Sequence, residues 1–359
     1  MTPPPPPPPD PDPLILGIES SCDETAASVV SGPSKVLSSI IANQHDLHAQ
    51  YAGVVPEIAS RAHLERITPV IREALAKAGK GYGDLDAIAV GHRPGLIGSL
   101  LVGVSAAKAL AWSLGKPLIG VDHIHAHLHA GLLDAEPVEY PALGLVVSGG
   151  HTSLFLVRNA LEIESLGRTI DDAIGEAYDK AATILKLGYP GGPKLDALAR
   201  QGDDRAHDFP ISSLGRDNLN FSYSGLKTSL LYAVCGQPVG RGADSHFERD
   251  GSQLSESEKA DFAASFQRAA IGAIMKNVTK ALDRQNVKTM LIGGGVSANS
   301  RLRHELQALG VERGIDVRLP ALEYCLDNAA MIAGLGAVRY EAGLFDDLSL
   351  AASPRTTVA

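Results

Sequence analysis

Four histidines alternate through His123-Ile-His125-Ala-His127-Leu-His129. Residues four apart share one face of a helix, with Cβ atoms about 5–6 Å apart. Two imidazoles so placed suit one metal ion. His123 with His127 satisfies this spacing, and so does His125 with His129 on a different face. Spacing alone does not choose between the pairs, and a run of partly buried histidines closing a helix start has the same pattern. Zinc proteases carry a glutamate directly after the first histidine as general base. Ile124 holds that position here, which argues against a zinc endopeptidase. Farther along, Cys325-Leu-Asp327-Asn328 reads as a helix start. Asp327 there is either a helix cap or a third metal ligand.

Two glycine clusters could hold an anion or a flat ligand. Val146-Val147-Ser148-Gly149-Gly150-His151-Thr152 runs from a strand into glycines, whose backbone N–H groups can approach a ligand unobstructed. An ordinary hairpin turn has the same pattern. Gly293-Gly294-Gly295-Val-Ser-Ala-Asn299 joins a strand to a helix. A helix N-terminus there suits phosphate or hydroxyl oxygens. It is not the Gly-x-Gly-x-x-Gly dinucleotide pattern. On a helix, Asp172, Glu176 and Asp179 would share one face without matching bases. They await a ligand, a metal or water. Gly188-Tyr-Pro-Gly-Gly192-Pro193 is a rigid turn, followed by a helix start with Asp196 in its first turn. Phe221 and Tyr223 are equally suited to stacking on bases and to a core. No convincing Cys–His or Ser–His arrangement offers a covalent nucleophile.

The elements around these motifs form a pattern that occurs twice. Leu14–Glu19 and Thr25–Val30 read as a hairpin, with Val36–Ile41 as a third strand. A helix over Glu57–Lys77, a strand at Ala87–His92, a helix over Gly98–Leu114 and a strand at Leu118–Val121 follow. Ala142–Ser148, Thr152–Val157 and Glu162–Leu166 repeat the three strands. Helices then follow at Ile174–Leu187, Pro193–Arg200 and Ser257–Gln285, a strand at Thr289–Ile292, and helices at Asn299–Arg313 and Asn328–Ala342. Duplication of this kind predicts an α/β protein of the actin-like (ASKHA) fold, with two lobes and a nucleotide cleft between them. The expected division is a proline-rich tail over 1–13, lobes over 14–135 and 136–345, and a tail over 346–359. The last helix is allowed to pack back on the first lobe. Gly236–Ser252 reads as an exposed loop.

Composition narrows the class. A chain of 359 residues suggests two domains. Its formal net charge of −9 differs from that of a typical nucleic-acid binder, so any RNA contact needs a local basic patch or a partner. Three separated cysteines allow no disulfide framework or Cys-x-x-Cys metal knuckle, which fits a reducing, cytoplasmic setting. No apolar run approaches the ~20 residues of a membrane span. Residues Thr2 to Pro13 lack the features of a signal peptide.

Together, Gly17-Ile-Glu-Ser-Ser-Cys-Asp-Glu-Thr25, Val55-Pro-Glu-Ile-Ala-Ser-Arg-Ala-His63, His123-x-x-x-His127 and Val147-Ser-Gly-Gly-His-Thr152 form the first half of an ordered set. Gly175-Glu-Ala-Tyr-Asp-Lys180, Gly188–Pro193, Phe221–Lys227, Gly294–Asn299 and Asp327-Asn328 complete it. From about Leu14 to Tyr340 the chain resembles the bacterial tRNA adenosine threonylcarbamoyltransferase family (TsaD, once called glycoprotease). The resemblance implies transfer of threonylcarbamoyl from threonylcarbamoyl-AMP to the exocyclic amine of adenosine 37, beside the anticodon, in tRNAs reading codons that begin with adenine. It implies that His123, His127 and Asp327 hold one divalent metal, Fe(2+), with zinc as the alternative. It implies adenylate binding by Val146, Val147, Ser148, Gly149, Gly150, Asp179, Gly192, Asp196 and Asn299. Two helpers are implied, a degenerate actin-like paralogue (TsaB) and a small P-loop ATPase (TsaE). The acceptor of the amine proton is not evident; Glu24 and the acids of 172–179 are candidates. The family's Thr-x-Gly-Pro-Gly turn is replaced here by Gly91-His-Arg93-Pro94-Gly95. An actin-like small-molecule kinase would need an aspartate poised for an acceptor hydroxyl and has no use for the histidine pair. A non-catalytic nucleotide-binding module is the remaining alternative.

Overall fold

The computed structural model describes residues 12–48, 51, 53–240 and 246–356. Most of the proline-rich segment expected as a tail therefore lies outside the described residues, as does the middle of the 236–252 loop. The chain forms two compact units. The first is built on residues 12–47, 54–137 and 326–356, and the second on residues 138–325.

The first unit opens with three strands, β1 (Leu14–Glu19), β2 (Thr25–Ser31) and β3 (Lys35–Ala42). Helices α1 (His45–His48) and α2 (Pro56–Ala78) follow, then β4 (Ala87–Arg93), α3 (Ile97–Leu114), β5 (Leu118–Asp122) and α4 (His123–His129). The sheet order is β3-β2-β1-β4-β5, with β1 parallel to β4 and antiparallel to β2. Every residue of β1 is buried, because both of its faces are covered. Leu14, Leu16 and Ile18 join a core with Ile67, Val70 and Ile71 of α2 and Val104 and Ala107 of α3.

The second unit repeats the plan. Its strands are β6 (Ala142–Val147), β7 (Thr152–Asn159) and β8 (Glu162–Arg168), followed by α5 (Ile174–Ile184), α6 (Gly191–Ala199), α7 (Ser224–Cys235) and α8 (Glu256–Leu282). β9 (Thr289–Gly293), α9 (Ser300–Arg313) and β10 (Asp316–Arg318) complete it. The order β10-β9-β6-β7-β8 matches the first sheet position for position. β6 again pairs antiparallel with the next strand and parallel with a later one. The duplicated actin-like α/β fold is thus present in both units.

The last helix, α10 (Ala329–Glu341), belongs to the first unit and covers the face of β1 opposite α2 and α3. Contact there is close: a Cβ on Gly17 would lie 2.8 Å from the Ala333 Cβ. Beyond it, residues 346–356 are bonded to the sheet rather than free of it. The Gly120 amide donates to Asp346 Oδ2 at 2.8 Å, and the Ser353 amide donates to the His92 carbonyl at 3.0 Å.

One helix was not read from the sequence, and one expectation differs. The start of α7 carries Ser222, Ser224 and Gly225, which favour turns over helix. Asp171 supplies what the start of α7 lacks: it accepts from the Tyr223 amide at 2.8 Å and from the Ser224 hydroxyl at 2.7 Å. Helix α3 is, among the described residues, the one helix long and apolar enough to cross a membrane by length and composition. The expectation that no segment comes near that length is corrected. Val102, Val104, Ala107 and Ala111 of α3 are buried in the core of the first unit.

Candidate metal centre and glycine-loop site

In the first unit, β5 ends at Asp122, and α4 begins at once. Asp122 is its N-cap, accepting from the Ile124 amide at 3.0 Å and the His125 amide at 3.4 Å. This cap fixes the helix start and therefore the direction of His123 and His127. Their rings meet edge to face with centroids 4.6 Å apart. Asp327 Oδ1 lies 3.5 Å from His123 Nε2 and 3.2 Å from His127 Nε2. One ligand atom from each of the three lies within 4.8 Å of the others. Asp327 is free for this because the next residue caps α10: Asn328 Oδ1 accepts from the Met331 amide at 3.0 Å. Of the two readings of Asp327, the cap belongs to its neighbour.

The other histidine pair is not gathered into a ligand set. His129 Nε2 faces the Pro33 carbonyl at 2.7 Å, and His125 lies in the field of Asp122 and Arg93. The structure thus selects His123 and His127 from the two pairs the spacing allowed.

The electrostatics fit a cation. His127 is fully buried, and among the described residues neither of its ring nitrogens makes a hydrogen bond. An imidazole left so is costly unless something else takes its lone pair. Burial, and then His123, push its pKa down, which favours the neutral form that ligates. Burial also works against the charged form of His123, but Asp327 and Glu19 outweigh it and hold that ring well above the usual value. Burial opposes the Asp327 carboxylate; His123 and His127 overcome it and hold Asp327 well below its usual range. Two imidazoles and one carboxylate are a donor set suited to a divalent transition metal.

Several residues that orient this set escaped the sequence reading. Glu19, fully buried at the end of β1, lies 3.0 Å from His123 Nδ1 through Oε2. Gly91 makes room for it: a Cβ there would stand 2.6 Å from Glu19 Oε2. The unusual Arg93 donates from Nε to Asp122 Oδ2 at 3.2 Å, tying the altered turn to the cap of α4. His63 lies 2.8 Å from the Thr25 hydroxyl and 3.1 Å from the Cys22 carbonyl, fixing the β1–β2 turn. Replacing Glu19 with Gln should leave the fold intact and weaken metal binding about 10–100-fold, the usual cost of losing a partner behind a ligating histidine. Metal titration of the purified variant reads this directly.

Glu24 is not part of the ligand set. It is buried against Asp23 and His45. Burial, with Asp327 and Asp23, pushes its carboxyl up to about 8 despite His45. Cys22 is no thiolate: burial and Asp23 push its pKa well up.

In the second unit the glycine clusters come together. Gly293 pairs with Val146 across the parallel β6–β9 ladder. Gly294 follows at φ +90, and a Cβ there would collide with the Val147 carbonyl. Only glycine tolerates both conditions. The β6–β7 turn closes through Ser148 N–H donating to the His151 carbonyl at 2.8 Å, and Gly149 and Gly150 are exposed. Asn299 caps α9, accepting from the Leu302 amide at 2.9 Å. Its Nδ2 donates to Gln267 at 2.8 Å and to Asp196 Oδ1 at 3.2 Å. Gln267 Oε1 also accepts from the Tyr178 hydroxyl at 3.2 Å. Gln267 sits mid-helix in α8 with no local motif around it, so only the fold reveals it.

The acidic face expected at Asp172, Glu176 and Asp179 is corrected. Asp172 precedes α5 rather than lying on it. It is paired with Lys180 at 2.7 Å and Lys227 at 3.0 Å, and Glu176 is paired with Lys180 at 2.7 Å. Asp179 accepts from the Gly191 amide at 2.9 Å, beside Gly192. Phe221 and Tyr223 are core residues, at 2% and 0% exposure, so neither is available to stack on a base.

Comparison with known proteins agrees on both fold and family. Among solved structures, component A of the Acidaminococcus fermentans (R)-2-hydroxyglutaryl-CoA dehydratase is similar in fold, with TM-score 0.51 at 14% identity over 92% of this chain and 99% of that one. HypF of T. kodakarensis is similar with TM-score 0.59 at 16% identity, over 94% of this chain and 49% of that one. At the sequence level, the tRNA N6-adenosine threonylcarbamoyltransferase of Symbiobacterium thermophilum is 50% identical over 341 residues, 95% of this chain and 96% of the relative. That of Pelobacter propionicus is 48% identical, over 94% and 95%. The family model described as tRNA N6-adenosine threonylcarbamoyltransferase matches residues 35–334. With that span, these identities and the buried His–His–Asp set in one chain, the protein belongs to the tRNA N6-adenosine threonylcarbamoyltransferase family, transferases that modify tRNA.

Proposed function

We propose that this chain transfers threonylcarbamoyl from threonylcarbamoyl-AMP to the N6 amine of adenosine 37 in tRNAs reading codons that begin with adenine. The observation that carries the reading is the buried His123–His127–Asp327 set, with His127 making no hydrogen bond among the described residues, in a chain of this family. The donor is a mixed anhydride and is already activated. The amine nitrogen attacks the carbamoyl carbon, the carbon–oxygen bond to phosphate breaks, AMP leaves with that electron pair, and the amine nitrogen gives up one proton to solvent. No enzyme nucleophile is needed, in keeping with a Cys22 thiol held protonated.

The protein's part is orientation and charge. In this proposal the backbone of Val146, Val147, Ser148, Gly149 and Gly150 holds the adenylate with Asp179, Gly192, Asp196 and Asn299. Asp196 has one carboxylate oxygen saturated by Ser300 and Asn299, which leaves the other for a ribose hydroxyl. His123, His127 and Asp327 would hold a divalent metal, iron in this reading, which would supply positive charge for an anionic ligand. The net charge of −9 leaves much of the RNA contact to helpers, a degenerate actin-like paralogue and a small P-loop ATPase, in the cytoplasm.

The acceptor atom is tested with two transcripts of one tRNA, the second carrying guanosine at position 37. Labelled threonine should enter the first and not the second. Equal labelling of both would reject adenosine 37 as the acceptor.

A further inference from the structure

We propose that Asp23, Glu24 and His45 form a second divalent-cation site, separate from the His123–His127–Asp327 set. One donor atom from each of the three residues lies within 4.8 Å of the others. Asp23 is 8% exposed and Glu24 7%. Glu24 Oε1 stands 3.6 Å from His45 Nε2, too far for a hydrogen bond yet within the span of two ligands on one ion. Among the described residues no lysine, arginine or backbone amide hydrogen-bonds to Asp23; the groups against it are the Cys22 thiol and Glu24. Two adjacent buried carboxylates face a single imidazole, and buried carboxylates are costly unless paired or ligating.

The site is also held in shape. His63 clamps the turn that carries both acids, through Thr25 and the Cys22 carbonyl. His45, with a third of its side chain exposed, opens the cluster to solvent. One imidazole with two carboxylates is a harder donor set than two imidazoles with one carboxylate. It is therefore the better suited of the two sets to Mn2+. This assigns Glu24 to a cation rather than to the proton of the substrate amine.

Metal occupancy tests this without any transfer assay, so the outcome is independent of the reaction proposed above. The full chain is first given one equivalent of Zn2+ to fill the two-imidazole set. Mn2+ is then titrated, and the free ion is followed by its electron paramagnetic resonance signal. The expected result is one further equivalent of Mn2+ bound. Affinity should fall more than about 10-fold in both His45→Leu and Glu24→Gln, and should be unchanged in His127→Ala titrated without the Zn2+ step. Circular dichroism identifies any variant that fails to fold, and the other then decides. The proposal is overturned if no Mn2+ binds after Zn2+ loading, if both folded variants bind as the parent does, or if His127→Ala abolishes the binding.

Discussion

His127→Ala is expected to lose the metal of the His–His–Asp set and to cut threonylcarbamoyl transfer by more than about 100-fold, while the protein still folds. Loss of a residue behind a ligand costs roughly 10–100-fold in metal affinity or activity, and loss of a ligand should cost more. The fold should survive because His127 makes no hydrogen bond among the described residues. Nothing in the backbone of α4 depends on its ring; Asp122 caps that helix independently. The penalty is then a small cavity and a less compensated Asp327, about 1–3 kcal/mol. Metal content, circular dichroism and labelled transfer measure the three parts separately. Transfer at the parent rate by a metal-free variant would remove the metal from the account.

Asp196→Ala is expected to weaken adenylate binding about 10–100-fold. Asp196 Oδ1 is occupied by the Ser300 hydroxyl at 2.7 Å and Asn299 Nδ2 at 3.2 Å. Oδ2 receives only a long bond from the Ser300 amide at 3.4 Å, with Arg200 at 3.9 Å. An ionised oxygen with spare lone pairs can accept a hydroxyl, and bonds to charged groups contribute about 1.5–3 kcal/mol. Substitution also releases Ser300 and Asn299, so a general loosening of the start of α9 must be separated from loss of the ligand contact. Ser300→Ala makes that separation: it removes the same restraint and leaves the carboxylate. Calorimetry with a non-reactive adenylate should show a large loss in Asp196→Ala and a small one in Ser300→Ala. Equal losses in the two would assign Asp196 to structure alone.

Much of the architecture was legible because the signals were local. The strand β1 reads directly from Leu14 to Glu19, and the duplicated hairpins foretold two matching sheets. The glycines at 149, 150 and 293–295 marked real turns. What could not be read was pairing across distance. Two histidine pairs had equal spacing, and only the positions of Asp327 and Pro33 distinguish them. Asp172 looked unmatched because it was placed on a helix that starts only at Ile174, and because one of its two lysines, Lys227, is fifty-five residues away. Helix α7 was not read from the sequence because its N-terminal serines are satisfied by Asp171, from another segment. Glu19 ends a strand and Gln267 lies inside a helix, where an acid or amide carries no spacing signal. Their roles appear only once His123 and Asn299 are placed beside them.

The central claim is metal-assisted transfer from a preformed adenylate to tRNA. Its most direct test gives the purified chain and the two proposed helpers labelled threonylcarbamoyl-AMP and unmodified tRNA, with and without prior removal of metal by a chelator. The account predicts label on the tRNA, its loss after metal removal, and its return when iron or zinc is restored. No label on the tRNA under any of these conditions, with adenylate binding intact, would contradict it and leave the chain as a nucleotide-binding partner of the true transferase.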